Sequence, residues 1–476
     1  MPESRTNSAW ETLLDLPAQG PRHVALATAL RSAIRAGRLP TGAALPPSRL
    51  LAPALGCSRW VVTQAYAQLA TEGYLAGRTG SATRVRWSAG ADPSPPVVAA
   101  PAARPRFDLA PWLPDLQAFP RRQWADALAR AAADADLGHP PPGGLPGLRT
   151  VLADYLARSR GAVTTASSVT ICAGIRDAVG RLCRGLAAAG HREIAVEDPG
   201  WGALRSAVTA AGLRPRPVPV DGDGLRVAEL PSGVRAVVLS PAHQFPTGAV
   251  LSPARRAALI DWARVVDGLI VEDEYDSEFR YDRKPVGCLQ GLDPDRVALV
   301  GSAHKTLAPA VGVGWAVVPP AWRTAVEAGP GPSVIDQAAF ASFVAAGRYD
   351  RHLHRARQRY RARRDLLIAE LSGHLPDATT QGISAGLHVV CSWPGLDETE
   401  VAAAARSAGV GVMTLADYRT APGPPGLVLG YGNISDAAIP RAVAVLASVS
   451  RLPGDVSRLP GDISRLPGDI SRLARG

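Results

Sequence analysis

Residues 88–105 read SAGADPSPPVVAAPAARP, and this stretch limits the fold more than any other. Each of its five prolines lacks a backbone donor and holds φ near one value, and the residues between them follow no amphipathic period. Such a segment is expected as a semi-rigid linker outside any core. The 476-residue chain is therefore expected as two bodies, a short one over residues 1–87 and a long one over residues 106–450. A tail over 451–476 continues a repeat, VSRLPGD at 449–455 and 456–462 and ISRLPGD at 463–469. Pro-Gly in every unit defeats a continuous helix, and so few short units cannot build a solenoid. The tail is expected as a disordered extension, with a short interaction arm as the alternative.

Apolar residues make up 46% of the chain, enough for large cores, and charged residues only 20%. No run approaches the ~18 uninterrupted apolar residues of a membrane helix, and the first residues lack a basic-then-apolar leader. The five cysteines (57, 172, 183, 288, 391) are scattered without CxxC spacing, so neither a disulfide framework nor a structural zinc site is expected. A soluble, cytoplasmic protein with no membrane partner and no metal follows. The net charge is +10, and the only lysines are Lys284 and Lys305. Chemistry that needs an amine therefore has two candidates. Residues 1–90 hold ten arginines against four acidic residues, an asymmetry that suggests a nucleic-acid module.

Within the short body, RHVALATALRSAIRAG has helical periodicity and stops at Gly37. Ser48 is expected to cap a short helix ending at Gly56, and Ser58 to cap RWVVTQAYAQLATEG, ending at Gly73. YLAGRTGSATRV reads as two short strands around a turn. Three helices and a hairpin in this order predict a winged helix-turn-helix. Arg49 opens the positioning helix, and Ser58, Arg59, Trp60 and Thr63 lie near the N-terminus of the recognition helix, with Gln64 on its second turn. Arginine can bond guanine bidentately and glutamine adenine. Arg78, Thr79 and Gly80 form the wing tip. Trp60 either stacks on sugar or a thymine methyl, or merely covers its helix. The motif GRLPTGAALPPSRLLAPALGCSRWVVTQAYAQLATEGYL closely resembles the DNA-binding domain of GntR-type regulators over about residues 22–86. The resemblance places DNA contacts on Arg49, Ser58, Arg59 and Thr63, with Thr79 and Gly80 on the wing, and implies double-stranded operator DNA as partner.

In the long body, helical patterns alternate with the apolar runs VTICAG, REIAVED, VRAVVLSP, GLIVEDEY, RVALVGS and GVGWAVV. Alternation of this kind predicts an α/β domain on a largely parallel sheet, with functional loops at the strands' carboxyl ends. The stretch from GLHVVCSWPG to AVAVLASV is expected as a small C-terminal α+β subdomain. Lys305 follows RVALV in the small-residue loop GSAHKTLAP, well placed to form an imine with an aldehyde. Asp273 and Tyr275 end another apolar run, two residues apart and so on one face of an extended segment. Pyridoxal phosphate (PLP) needs an amine for its aldehyde, a carboxylate for its pyridinium nitrogen and anchors for its phosphate.

The order of these residues resembles fold-type-I aminotransferases over about residues 106–448, and a GntR head on such a body resembles the MocR-type regulators. FPRRQW, GGLPGLRTVLADYLARSRG, VEDPGW, SPAHQFPTG, VEDEYDSEFRY, GSAHKTLAP and GLHVV carry the match. The resemblance implies Lys305 as Schiff-base lysine, Asp273 as pyridinium partner and Tyr275 as hydroxyl partner. It implies phosphate contacts at Ser302 and at the backbone of Ala173, Gly174 and Ile175, and an aromatic position at Trp201. It also implies a head-to-tail homodimer. The chain departs from the family at several points. Gly312 stands where an arginine takes the PLP phosphate, and His304 replaces a serine. Arg176–Asp177 replace a glutamine pair, and Val428 stands where an arginine takes a substrate carboxylate.

His243 in SPAHQFP is expected to order its loop rather than act as a base, and no residue is assigned to catalysis. The arginine-rich helix RHLHRARQRYRARRD is expected as a solvated or inter-domain face, with DNA phosphates as its alternative contact. The leading expectation is a DNA-binding transcriptional regulator whose aminotransferase-like domain senses PLP or an amine or amino-acid adduct as small-molecule effector. A PLP-dependent aminotransferase carrying a DNA-binding domain is one alternative. A regulator whose body has lost PLP is the other.

Overall fold

Leu26, Ala27, Leu30, Ala33 and Ile34 recur at helical spacing and are the buried face of helix α1 (Arg22–Arg35) in the computed structural model. The structure describes residues 21–77, 82–87, 105–136, 138, 140–281 and 286–450. By its contacts the chain divides into two units, Met1–Ala102 and Ala103–Gly476. In the first, α2 (Ser48–Ala54) and α3 (Arg59–Thr71) follow α1, and the strands β1 (Leu75–Ala76) and β2 (Arg84–Val85) pair antiparallel, Leu75 opposite Val85. This is the expected winged helix-turn-helix. Leu51, Val62, Ala65, Leu69 and Val85 close its core with α1. Ser58 caps α3 by accepting the Val61 N–H at 3.4 Å. Ser48 does not cap α2. Pro47 takes that place, Ser48 becomes the first helical residue, and its hydroxyl accepts Arg59 Nε at 3.2 Å. The wing-tip residues Arg78, Thr79 and Gly80 and the tail 451–476 lie outside the described residues.

The second unit opens with β3 (Phe107–Asp108), α4 (Arg121–Asp134) and α5 (Pro146–Arg160). The six apolar runs are strands β4 (Val169–Cys172), β5 (Glu193–Asp198), β8 (Ala236–Leu239), β9 (Leu269–Glu274), β10 (Val297–Ser302) and β11 (Gly314–Val317). With β6 (Arg214–Asp221) and β7 (Gly224–Leu225) they form one eight-stranded sheet, ordered β4-β11-β10-β9-β8-β5-β6-β7. Strands β10, β9, β8, β5 and β6 run parallel, while β11 is antiparallel to both neighbours. Helices cover both faces. Helix α6 (Ile175–Ala188) and α7 (Gly202–Ala210) pack over Val196, Val238 and Val300, and α8 (Pro253–Val266) packs over Ala195, Val237 and Ile270. That double cover is why these strands read as unbroken apolar runs.

Strand β6 has the sequence RPRPVPVD and no strand signature. Its prolines alternate at 215, 217 and 219, so they share one backbone direction and leave Arg214, Arg216 and Val218 to donate toward β5. The other side meets only the two-residue β7, which needs few of the missing donors.

Beyond the sheet, α9 (Arg323–Glu327), α10 (Val334–Ala345) and the long α11 (Arg348–His374) lead to a smaller layer. There β12 (Thr379–Gln381), β13 (His388–Ser392), β15 (Met413–Thr414) and β16 (Leu427–Gly430) form an antiparallel sheet with α12 (Glu398–Ser407) and α13 (Ile439–Ser450). This is the expected α+β subdomain, with one addition. Strand β14 (Val410–Gly411) pairs in parallel with β3, so the start of the body is stitched to its C-terminal part. No helix among the described residues is long and apolar enough to cross a membrane.

Candidate functional site

Parallel strands β9 and β10 end side by side, with Asp273 opposite Val300 and Glu274 opposite Gly301. Past their carboxyl ends lies a cavity of about 350 Å³. Lys305, Asp273, Tyr275, Ser302, Ala173, Gly174, Ile175 and Trp201 all line it. Alternation along β9 explains the carboxylates. Asp273 and Tyr275 face the cavity, while Glu272 accepts the N–H groups of Leu289 and Gln290 and Glu274 pairs with buried Arg160 at 2.6 Å.

Asp273 is buried, and its Oδ1 has no hydrogen-bond partner. Burial, then Glu197 and Asp276 nearby, hold its carboxyl well above the usual range, against a lowering pull from Lys305. A buried carboxylate oxygen left unpaired is costly unless a donor or proton meets it. The Lys305 amine donates to the carbonyls of Pro111 at 2.9 Å and Trp112 at 2.7 Å. Burial lowers it to about 8, opposed by Asp276 and Asp273, so neutral amine is accessible near physiological pH. The hydroxyl of Tyr275 lies 2.9 Å from His243 Nδ1, which lies 2.9 Å from Asp276 Oδ2. His243 is itself buried between these groups and the ring of His388, 5.2 Å away. These contacts tie the segment that carries His243 to the end of β9.

At the other end of the cavity, Gly174 adopts φ +131° ahead of α6. A Cβ there would lie 2.5 Å from His304 Cε1, so the imidazole fills the space that glycine leaves. The N–H of Ala173 does not remain open. Asp177 Oδ2 accepts it at 2.9 Å while also holding Arg181 at 2.7 Å. Arg176, in the first turn of α6, lines the cavity, is exposed and has no protein partner among the described residues. Gly312 has a left-handed φ of +64°, and nothing lies within 4 Å of where its Cβ would be. Val428 is fully buried in an apolar cluster with Phe245, Val390, Leu415 and Tyr418, against which Trp201 and Tyr275 pack.

Sequence reasoning singled out neither Glu197 nor the Pro111–Trp112 carbonyls. Glu197 lines the cavity, accepts the Ser240 N–H at 2.9 Å, and burial raises it to about 8. An apolar run before its VEDPGW motif was the available signal. The carbonyls carry no side-chain signal at all.

On the head, Arg49, Ser58, Arg59, Trp60, Thr63 and Gln64 are all exposed. Trp60 is 60% exposed, and its ring meets that of His23 edge-on at 5.4 Å. The Thr63 hydroxyl donates to the Arg59 carbonyl at 2.9 Å, within its own helix.

Fold and cavity together define a class, a winged helix-turn-helix carried on an aminotransferase-type body. Residues 113–444 match the family of aminotransferases class I and II, and residues 23–85 match the bacterial regulatory proteins of the gntR family. The chain is 34% identical to the HTH-type pyridoxine biosynthesis transcriptional regulator PdxR of Corynebacterium glutamicum over 416 residues, 85% of this chain and 90% of that protein. It is 33% identical to the probable rhizopine catabolism regulatory protein MocR of Rhizobium meliloti over 470 residues, 92% of this chain and 95% of that protein. The body shares its fold with an archaeal alanine:glyoxylate aminotransferase, at a TM-score of 0.68 and 24% identity over 73% of this chain and 91% of that one. The chain belongs to the MocR-type subfamily of GntR transcriptional regulators.

Proposed function

We propose that this regulator binds operator DNA through its head and that its body takes PLP at Lys305, sensing PLP itself or an amine captured with it. One observation carries the sensor half of this reading. The unpartnered Oδ1 of buried Asp273 faces the same cavity as the single described lysine. A protonated pyridine nitrogen is the donor that such an oxygen lacks. Bound PLP would supply an aldehyde for covalent capture of amines and an electron-withdrawing ring. Lys305 would hold the aldehyde carbon, Tyr275 the ring hydroxyl, and Trp201 a wall. Ser302 and the first-turn N–H groups of α6 would take the phosphate, helped by the helix dipole. Arg176 supplies there the positive charge that Gly312 does not.

Val428 favours sensing over turnover. In its place an arginine would clamp a substrate carboxylate, whereas here an apolar cluster adjoins the cavity. The effector class is therefore PLP or an amine whose remaining part is apolar. On the head, Arg49, Ser58, Arg59, Trp60, Thr63 and Gln64 are available to a groove, with the wing tip Arg78, Thr79 and Gly80 completing the contact. A head-to-tail homodimer would pair two heads over two half-sites, and operator DNA places the regulator's work in the cytoplasm.

Purified protein titrated with PLP should gain a visible absorption band, lost in Lys305→Ala. A transamination assay with amino donors should give no turnover. Absence of any band in excess PLP would overturn the sensor reading and leave the body as a scaffold.

A further inference from the structure

A second cavity of about 360 Å³ lies between the start of α4 and the first turns of α11. Arg121, Arg122, Arg348, Arg351, Arg355 and Arg359 line it, and among the described residues none of those lining it is acidic. Arg359 is drawn to Asp115 at 3.3 Å, and Arg348 and Arg351 donate to the carbonyls of Gln123 and Ala346. Arg121, Arg122 and Arg355 are exposed and, among the described residues, have no hydrogen-bond or ion-pair partner. The unpaired guanidinium groups of Arg121, Arg122 and Arg355 carry like charge around one hollow, and an anion of high charge density bound there relieves their repulsion. The planar guanidinium fork matches phosphate bidentately.

We propose that this cleft is a second phosphate-binding surface for duplex DNA, carried by the body. The inference rests on the DNA-binding reading of the head. A duplex held by the head presents a phosphate about every 1.7 Å along its axis to a covalently joined body, so DNA is the polyanion present at high effective concentration. The cleft also reaches the loop that carries Lys305. His352 lines the cleft, and its Nε2 lies 2.8 Å from the carbonyl of Thr306, the neighbour of Lys305. Phosphate held in the cleft and cofactor held at Lys305 thus bear on the same short loop.

The test uses the full chain and a labelled duplex of arbitrary sequence, titrated by fluorescence anisotropy across a salt series. The variant R121Q/R122Q/R355Q should bind more weakly than wild type, and its slope of log affinity against log salt should be shallower by about 2–3, near 0.9 per lost contact. R355Q alone should reduce the slope by about one, and keeps the test alive if the triple variant unfolds. An unchanged slope with intact binding overturns the proposal. So does a variant that loses a tripolyphosphate-induced thermal shift but keeps its slope, which would make the cleft a site for free polyphosphate. A changed mass in light scattering with an unchanged slope overturns it in favour of contact between copies. Wild-type protein that binds no duplex at any salt would overturn the reading of the head as well.

Discussion

At the scale of single residues, the cavity is defined by what each group lacks or already holds. Among the described residues Asp273 Oδ1 lacks a donor and Arg176 lacks an acceptor, while Asp177 is already engaged by Ala173 and Arg181. A charge-assisted bond contributes about 1.5–3 kcal/mol, so Arg176→Gln should weaken PLP binding roughly ten- to hundredfold. Gly312, where the resemblance implies the phosphate arginine, has open space for a side chain although its left-handed φ strains one, so the reverse change is informative. R176Q/G312R should recover part of the affinity in an absorbance titration, and R176Q with wild-type affinity would remove Arg176 from the phosphate site. Glu197 gives a pH prediction. Its folded value of about 8 lies above the ordinary 4.5, so folding keeps a proton that the unfolded chain releases. Stability from Glu197 is complete below the ordinary carboxylate range and is lost as pH rises through about 8. Gln keeps an acceptor for the Ser240 N–H but cannot ionise. Between pH 6 and 9 the wild-type Tm should therefore fall more than that of Glu197→Gln, and parallel profiles would refute the assignment.

At the scale of elements, α3 is the part whose role follows most directly from its sequence. Its Ser58 cap, its buried Val62, Ala65 and Leu69, and its exposed first turn are all consequences of local pattern. Arg59→Ala should weaken binding to a fragment from its own upstream region by about 1–3 kcal/mol, the worth of one base-reading pair. A gel-shift titration with unchanged affinity would exclude that role. Strand β6 marks the opposite limit. Three prolines in eight residues argue against a strand, and only its place next to the end of the sheet makes the missing donors harmless. Ser48 failed as a cap because the preceding proline already satisfied the extended backbone that a cap position requires. The pairing of β3 with β14 joins residues about three hundred positions apart, and nothing in two-residue strands announces it.

At the scale of the whole molecule, two units of different chemistry share one chain, and regulation requires that they share free energy. PLP or an amine can change DNA affinity only by preferring one conformation of the body over another. Linkage is reciprocal. If PLP changes operator affinity by some factor, operator DNA must change PLP affinity by the same factor, typically 5–150-fold for couplings of 1–3 kcal/mol. Anisotropy with and without PLP, and PLP absorbance with and without DNA, should return equal factors, both vanishing in Lys305→Ala. Unequal factors would mean that the two measurements report different processes.

The sequence by itself determined the winged helix-turn-helix, the alternating α/β body and the residues that meet in the cavity beyond β9 and β10. These are properties of local periodicity, turn residues and short spacing, such as the two-residue step from Asp273 to Tyr275. Only the tertiary structure decided which of these groups remain free. It set carbonyls of Pro111 and Trp112 against Lys305, gave the Ala173 donor to Asp177, and packed Val428 among apolar side chains. It also gathered arginines from two distant segments around one hollow. Such outcomes depend on contacts between residues far apart in the chain, whereas the periodicities that foretell helices and strands act only over a few neighbours.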